Sequence, residues 1–553
     1  MSDLALGDVT RRDLIKGLAS IGVGAIAVGM LAGCDADSSS QDVAWTEETD
    51  VVVIGSGTGL YTALKLKSGG MSVIVLEKDA RFGGSTAFSG SVAWAPNNAV
   101  MASEGLEDSR DDAITYLTAG CAQTANPELI EALVDNVVPA IEGVASLAGM
   151  EWTRWSPWDM DYQCDLPGGR KAGRSLIPAT ADGKTIKATT GVLAQTLIAA
   201  CETAGVDMRT ATPATRLMVR YDSAGVPEVQ GVIATPEGGD PIAIKARYAV
   251  VLAAGGFDWN DGMMTDYLRA PAKGSWGVAT GTGDGHHMAQ AIGADLALMS
   301  YGWMSPGYKV EFEEAKAQKF AHLSNAISDT CKRGLIVVNR HGKRFLNEAA
   351  DYDSVGRGLS GWECYGTDRT WEASPAYAVC DSETVETYGV GGAAAGEAAE
   401  FFVKADTIEE LAAKIGVDPA NLTATIERFN EYAAQGQDPD FQRGQDYFSQ
   451  RWFGADQSFE GPAATLKPLT KAPFYAGAMV PVVLGTLGGV KVNAMSQALH
   501  VTGAVISRLY AHGNCSGAGA GGGFYPAGGG TIGPSLAFGH IAAEHIRGLT
   551  AWE

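Results

Sequence analysis

The chain has 553 residues and a formal net charge of −23. That acidic balance excludes nucleic acid as a partner, because phosphate binding needs clustered Lys and Arg. Apolar residues make up 46% of the chain and its mean hydropathy is +0.00, which fits a soluble globular protein of two or three domains.

The first 34 residues read as an address and not as part of the fold. Arg11-Arg12 stand in T-R-R-D-L-I-K, and an apolar segment follows from Gly17 to Gly33. This is the pattern of a twin-arginine export signal. The apolar run is Gly/Ala-rich and shorter than the ~20 residues of a typical membrane-spanning helix. It ends in Leu31-Ala32-Gly33-Cys34, a lipoprotein-type cleavage box, so a lipid on Cys34 is expected to tether an exported chain to the cell membrane. Simple cleavage nearby and an uncleaved anchor are the alternatives. Residues 35–47 then read as a polar linker. Twin-arginine export carries folded proteins, commonly with a cofactor already inserted, which points toward redox chemistry. The eight cysteines show no C-x-x-C, haem-attachment or zinc spacing.

From Thr49 to Lys78 the pattern is strand, glycine turn, helix, strand. Val51 to Ile54 form a continuous apolar run, as in a strand buried on both faces. Gly55-Ser56-Gly57-Thr58-Gly59-Leu60 is a dinucleotide fingerprint whose third position is Leu in place of Gly or Ala. Glu77 ends the second strand, placed to accept ribose hydroxyls, and the helix N-terminus at Gly57 would hold a pyrophosphate. A second loop rich in glycine and hydroxyls follows Lys78: Gly83-Gly84-Ser85-Thr86, then Ser89-Gly90. It suits backbone donors lying against a flavin, so FAD is preferred over NAD.

Asp111 to Ala148 carries helical periodicity, expected to break near Pro127 and Pro139, and an aromatic cluster follows: Trp152, Trp155, Trp158 and Tyr162. Gly191 to Gly205 is again helical. Thr215–Tyr221, Glu228–Thr235 and Ile242–Leu252 read as strands, the last running into Ala254-Gly255. Arg333 to Glu348 is expected to be a strand pair turning at His341-Gly342. Helices are expected after N-caps at Asp406 and Asp418. Near the C-terminus, Gly521 to Gly533 holds seven glycines around a lone Tyr525, and a last helix starts at about Pro534. The element order gives an α/β fold: a Rossmann-like FAD-binding domain over 48–300 and 472–553, with an inserted mixed α+β catalytic (cap) domain over 301–471.

The motifs "GGSTAFSGSVAWAPNN", "TGTGDGHHMA", "RGLIVVNRHGKRFLNE", "LYAHGN" and "FYPAGGGTIGPSLAFGH" resemble the fumarate reductase superfamily of FAD enzymes, and within it the 3-ketosteroid Δ1-dehydrogenases. The likeness runs from about Asp50 to His545. It implies that Asp284, Gly513, Asn514, Ser535 and Leu536 join the residues above at FAD. Where fumarate reductases carry a proton-donating Arg the chain has Tyr352, and where they carry a dicarboxylate-binding His it has Gly485. A dicarboxylate would lack its cations. The resemblance implies instead that Tyr525 and the Gly529 N–H grip a ketone oxygen. Tyr352 takes the neighbouring proton, and Tyr162 hydrogen-bonds to Tyr352. Ala527-Gly528 and Gln163 depart from the steroid pattern. The expected reaction is insertion of a ring double bond beside a 3-ketosteroid-like ketone. The alternative is reduction of an enone, steroid or cardenolide-like, by the same chemistry reversed. Either needs an external electron partner, a quinone or cytochrome. A non-catalytic solute-binding lipoprotein is the reading from another class.

Overall fold

The computed structural model describes residues 44–552, except 181, 183, 185, 187–189, 269–270, 364–369 and 372–374. Arg11, Arg12, Cys34 and Cys364 lie outside the described residues. The other six cysteines are buried free thiols.

The apolar run of Val51 to Ile54 belongs to a strand, Glu47–Ile54, at the centre of an eight-stranded sheet. It pairs in parallel with Val73–Leu76 on one side and Ile242–Leu252 on the other. Asp207–Arg209 and Val505–Ala511 extend this parallel core outward. Ala214–Tyr221 and Pro227–Ala234 add an antiparallel meander that leads into Ile242–Leu252. The helices Gly59–Ser68 and Ile532–Arg547 pack on this sheet and on each other, and Pro127–Ala148 packs against both. Covered strands explain why the sequence shows continuous apolar runs instead of alternation.

A second, antiparallel sheet builds the cap. Its order is Gly302–Tyr308, Phe474–Thr486, Ala376–Asp381, Leu335–Val338, with Val403–Ala405 also pairing to Phe474–Thr486. A domain boundary at 471/472 therefore falls too early. The strand Phe474–Thr486 is the shared partner of three cap strands, and the chain rejoins the first sheet only with Gln497–Leu499 and Val505–Ala511.

Three local expectations are corrected. Pro127 starts a helix and does not break one: it sits in the first turn of Pro127–Ala148, after an Asn126 cap that accepts from Leu129 N. Pro139 lies inside that helix, which continues because its apolar face (Leu133, Val137, Ile141, Val144) is buried throughout. Thr407, and not Asp406, caps Ile408–Ile415, accepting from Glu410 N at 3.1 Å, whereas Asp418 caps the next helix as expected.

The third concerns the hairpin at His341-Gly342. Only Leu335–Val338 is a strand, and Val338–Arg344 is a single bridge. Arg344 draws the returning chain away. It donates to Glu348 from Nε and Nη2 at 2.7 Å each, and to Asp438 at 2.8 and 2.9 Å. Glu348 also accepts from Arg443 at 3.2 Å and from Val337 N at 3.1 Å, and both Glu348 and Arg443 are fully buried. This network fixes the segment that leads into the helix Tyr352–Gly358. Removing one partner of a buried ion network leaves an uncompensated charge, so Glu348→Gln is expected to lower unfolding free energy by about 3–5 kcal/mol in urea titrations.

Candidate active site

A long groove runs along the C-terminal ends of the parallel strands, where open α/β sheets bind ligands. Of the twenty residues expected at the cofactor, all but Gly59, Gly83, Gly90 and Leu536 line it. Each exception has a local reason. Gly59 packs inward: a Cβ there would stand 2.9 Å from Ala253 Cβ and 3.1 Å from Val53 Cγ1. Gly59 thus allows the close helix–strand contact that the fingerprint assigns to the position Leu60 occupies, and Leu60 is buried in the core. Gly83 lies behind the groove, its N–H donating to Ser56 Oγ at 2.9 Å. Gly90 is exposed. Leu536 follows Ser535 on a helix, and about 100° of rotation per residue turns it from the groove into the core.

Glu77 is buried and organises the fingerprint loop. It accepts from Ser56 N at 3.1 Å, from Ser56 Oγ at 2.6 Å and from Asp79 N at 2.8 Å. Lys78 donates to Thr282 at 2.6 Å and to Asp284 at 2.7 Å. Among the described residues Lys78 is the cation on the groove wall, and it is already paired.

The groove fits a dinucleotide. Gly84 and Gly255 both have positive φ, and a Cβ at either would meet essentially no protein atom, so it would fill groove space. The helix Gly59–Ser68 has no side-chain cap and no acidic residue in its first turn, which leaves its N-terminus to an anion. FAD would be held by this loop, by Glu77 and by Ser85 and Thr86.

Beyond the groove the three expected tyrosines converge. Tyr352 Oη donates to Tyr525 Oη at 2.7 Å. Tyr162 meets both rings edge-on, with centroids 5.2 and 5.5 Å away. Tyr352 thus has its well-formed hydrogen bond to Tyr525, while Tyr162 stands within electrostatic reach of Tyr352, on the side where the family resemblance implied a partner. Tyr162 is wedged among Phe448, Trp452 and the other two phenols, and its hydroxyl is buried without a partner. Burial, then the neighbouring phenols Tyr162 and Tyr525, push Tyr352 well above the ordinary tyrosine value, and burial raises Tyr525 as well.

None of the tyrosines lines the groove itself. Trp276 and Trp303 do, and they stand between: Trp276 lies 6.1 Å from Tyr352, and Trp303 lies 5.1 Å from Tyr525. Sequence reading missed both tryptophans, whose only signal is a large ring beside small residues in Ser275-Trp276-Gly277. It also missed Asp258 on the groove wall. Its carboxylate accepts from Ser275 Oγ at 2.5 Å, and burial pushes it up to about 6.

Tyr352 opens its helix behind an Asp351 N-cap, which accepts from Ser354 N at 2.9 Å and Oγ at 2.6 Å. Gly529 has φ +84°, and a Cβ there would lie 2.6 Å from the backbone of Ala93. The glycine run is therefore demanded by backbone passing against backbone, as well as by ligand approach. At Gly485 a Cβ would stand 2.4 Å from Asn514 Nδ2, so the Asn514 amide occupies the space beside the position where fumarate reductases carry their His.

The sequence of residues 50–532 matches the family model described as FAD binding domain. The chain belongs to the FAD-binding-domain family. It is an FAD-dependent oxidoreductase acting on CH–CH groups, on the 3-ketosteroid dehydrogenase branch of the fumarate reductase superfamily. It is 32% identical to the 3-oxosteroid 1-dehydrogenase of Mycobacterium tuberculosis, covering 90% of this chain and 98% of that protein. It is 33% identical to the 4-oxocyclohexanecarboxylate 2-dehydrogenase of Sinomonas cyclohexanicum, covering 91% and 93%. The fold matches the 3-ketosteroid delta1-dehydrogenase from Sterolibacterium denitrificans in complex with 1,4-androstadiene-3,17-dione. The TM-score is 0.82 at 27% identity, over 91% of this chain and 100% of that one.

Gly55 has φ +103°, and a Cβ there would meet Ala253 O at 2.3 Å. Gly55→Ala is expected to yield protein with little bound FAD, measured by the ratio of flavin to protein absorbance.

Proposed function

We propose that the protein inserts a double bond next to the ketone of a 3-ketosteroid-like substrate. The convergence of Tyr162, Tyr352 and Tyr525 beside Gly529, one aromatic layer from the flavin groove, carries this reading. The apolar part of the groove wall, beside the space for FAD, suits a neutral, bulky ligand. Trp276, Trp303 and Leu484 wall it, while Phe88 and Leu323, 38% and 50% exposed, stand at its mouth. The relatives named for steroid and cyclohexanone-type ketones support a ring ketone.

An α-proton becomes acidic enough to remove only if the developing enolate is stabilised. Tyr525 and the Gly529 N–H are the donors for the ketone oxygen, and losing one such donor costs on the order of 2.7–4 kcal/mol of transition-state stabilisation. Tyr525 is suited to this: its oxygen accepts from Tyr352, and its own proton is left to give to the ketone. Tyr352 is the base, and Tyr162 packs the base in place. FAD supplies the two-electron acceptor for the hydride from the β-carbon. Tyr352 and Tyr525 lie behind Trp276 and Trp303, so a substrate in the groove reaches them only if those indoles shift.

Burial that keeps Tyr352 protonated favours the reverse reaction at lower pH, reduction of an α,β-unsaturated ketone. The sign separates the two directions. Dehydrogenation needs the phenolate, so its kcat/KM should rise about tenfold per pH unit below the raised pKa of Tyr352. Enone reduction needs the phenol and should stay flat until the pH approaches that pKa.

The leader supports an extracytoplasmic enzyme, exported folded and held by a lipid on Cys34, that exchanges electrons with a quinone or cytochrome.

Two experiments test these readings. Tyr352→Phe should keep bound flavin and its absorbance while turnover of a 3-ketosteroid falls about 10²–10⁴-fold, the range of general acid–base catalysis. Unchanged turnover would remove Tyr352 from the mechanism. The mature membrane-bound protein should begin at Cys34 and carry a lipid mass on it, absent from Cys34→Ser; an unmodified Cys34 in the membrane-bound native protein excludes the lipid anchor.

A further inference from the structure

The tyrosine cluster has a second face, turned away from the flavin groove. There Tyr162 forms part of the wall of a separate pocket. The rest of the wall comes from Gln163 and Asp165, from Asn347, Asp351 and Ser354, and from Asp446 and Phe448. Gln163 and Asp165 are exposed, so the pocket opens to solvent. Tyr162 is 3% exposed, and its hydroxyl has no hydrogen-bond partner. A buried phenol without a well-formed hydrogen bond costs stability, and this one belongs to a residue that lines a polar, solvent-open pocket.

Asp351 joins the two sides. It lines the pocket, precedes the base Tyr352 in the chain and is 4% exposed. The only hydrogen bonds to its carboxylate among the described residues are the two from Ser354, and it makes no ion pair among them. The charged groups around it are accounted for. Asp353 on the same helix is held by Arg357 at 2.6 Å and by Met304 N at 2.7 Å. Across the pocket Asp446 accepts from Ser449, and Asp165 faces solvent. Tyr162 lines the same pocket and feels the Asp351 charge, and Tyr352 is the next residue in the chain.

We propose that this pocket is the proton port of the enzyme, with Asp351 as the carboxylate that takes the proton from the tyrosine cluster and passes it to water. The inference rests on the dehydrogenase reading above. The substrate Cα–H bond breaks and an O–H bond forms on the Tyr352 phenolate. That proton leaves past Tyr162 to Asp351 and then to solvent, restoring the phenolate. The electron pair leaves the β-carbon with the hydride and takes no part in this path. Burial, then the nearby Asp353, raise Asp351 to about 6, so it can gain and lose a proton near neutral pH. In this role Asp351 is a positioning and relay residue that need not touch the substrate.

The test separates proton escape from chemistry. Flavin-loaded enzyme is mixed anaerobically in D2O with 4-androstene-3,17-dione and no electron acceptor. Dienone formation is read from flavin bleaching, and deuterium at the α-carbon of recovered substrate from NMR. In wild-type enzyme a proton that escapes through the port is replaced by deuterium. Asp351→Asn preserves the helix cap, since Asn caps as well as Asp, but cannot accept the proton. It is expected to lower the ratio of deuterium incorporated to dienone formed at least fivefold, because the abstracted proton is returned. Gln163→Trp, at an exposed wall position, should lower the same ratio by plugging the pocket. A wild-type ratio in Asp351→Asn overturns the proposal. If that variant does not load flavin, an unchanged ratio in Gln163→Trp overturns it. Wild-type enzyme that neither bleaches nor exchanges would instead overturn the dehydrogenase reading, a distinguishable result.

Discussion

The site depends on a single backbone carbonyl. Pro526 O accepts from Tyr162 N at 2.9 Å and from Tyr116 Oη at 2.6 Å, and so binds the C-terminal glycine loop to the segment that follows the tryptophan cluster. On either side the loop is pinned by Ser175 Oγ to Gly528 O at 2.7 Å and by Trp94 N to Gly529 O at 3.1 Å. A loop held this closely by neighbouring backbone has no room for Cβ atoms. At Gly529 the obstacle is Ala93, and at Gly533 a Cβ would lie 2.1 Å from Trp94 O. Tyr525 is therefore mounted on a rigid strip, and Tyr162 is held to the same strip by its own N–H. Preorganisation of this kind is what gives a fixed donor its value at a developing enolate.

The second constraint is dielectric. Tyr352 and Tyr525 are 8% and 4% exposed, and the low-dielectric surroundings disfavour a phenolate there. A base in such a place is weak unless its proton can leave and its charge is answered. Cations do not answer it: Arg357, the guanidinium on the same helix, is committed to Asp353. Hydrogen bonding between phenols is the remaining means, which explains why the hydroxyls are gathered and not separated. The lack of an unpaired cation on the groove wall among the described residues, together with Gly485 where a dicarboxylate-binding His would stand, sets this site apart from one that binds a dicarboxylate.

Much of the cofactor region was legible in the chain. The phosphate loop, Glu77, the Ser85-Thr86 loop and the strand end at Ala254-Gly255 are local features. Each is written in consecutive residues whose spacing follows from strand and helix geometry. The misreadings were also local rules overridden from afar. Pro139 lies within a helix because the helix's buried face outweighs one lost hydrogen bond. The His341-Gly342 turn forms, but its returning strand stops at one bridge because Arg344 finds Asp438, ninety-four residues on, and the buried Glu348. The cap boundary was set too early because Phe474–Thr486 reads as a strand from its sequence, which cannot say to which sheet it belongs.

By itself the sequence determined the nucleotide-binding α/β half, the kind of residue at each key position and the missing dicarboxylate ligands, since these depend on residue identity and short-range spacing. Only the tertiary structure decided which phenol pairs with which, that Trp276 and Trp303 stand between them and the flavin groove, and that Tyr162 and Asp351 share a pocket open to water. Those relations join residues as much as 363 positions apart, from Tyr162 to Tyr525, and long-range side-chain geometry is fixed by packing that no local pattern encodes.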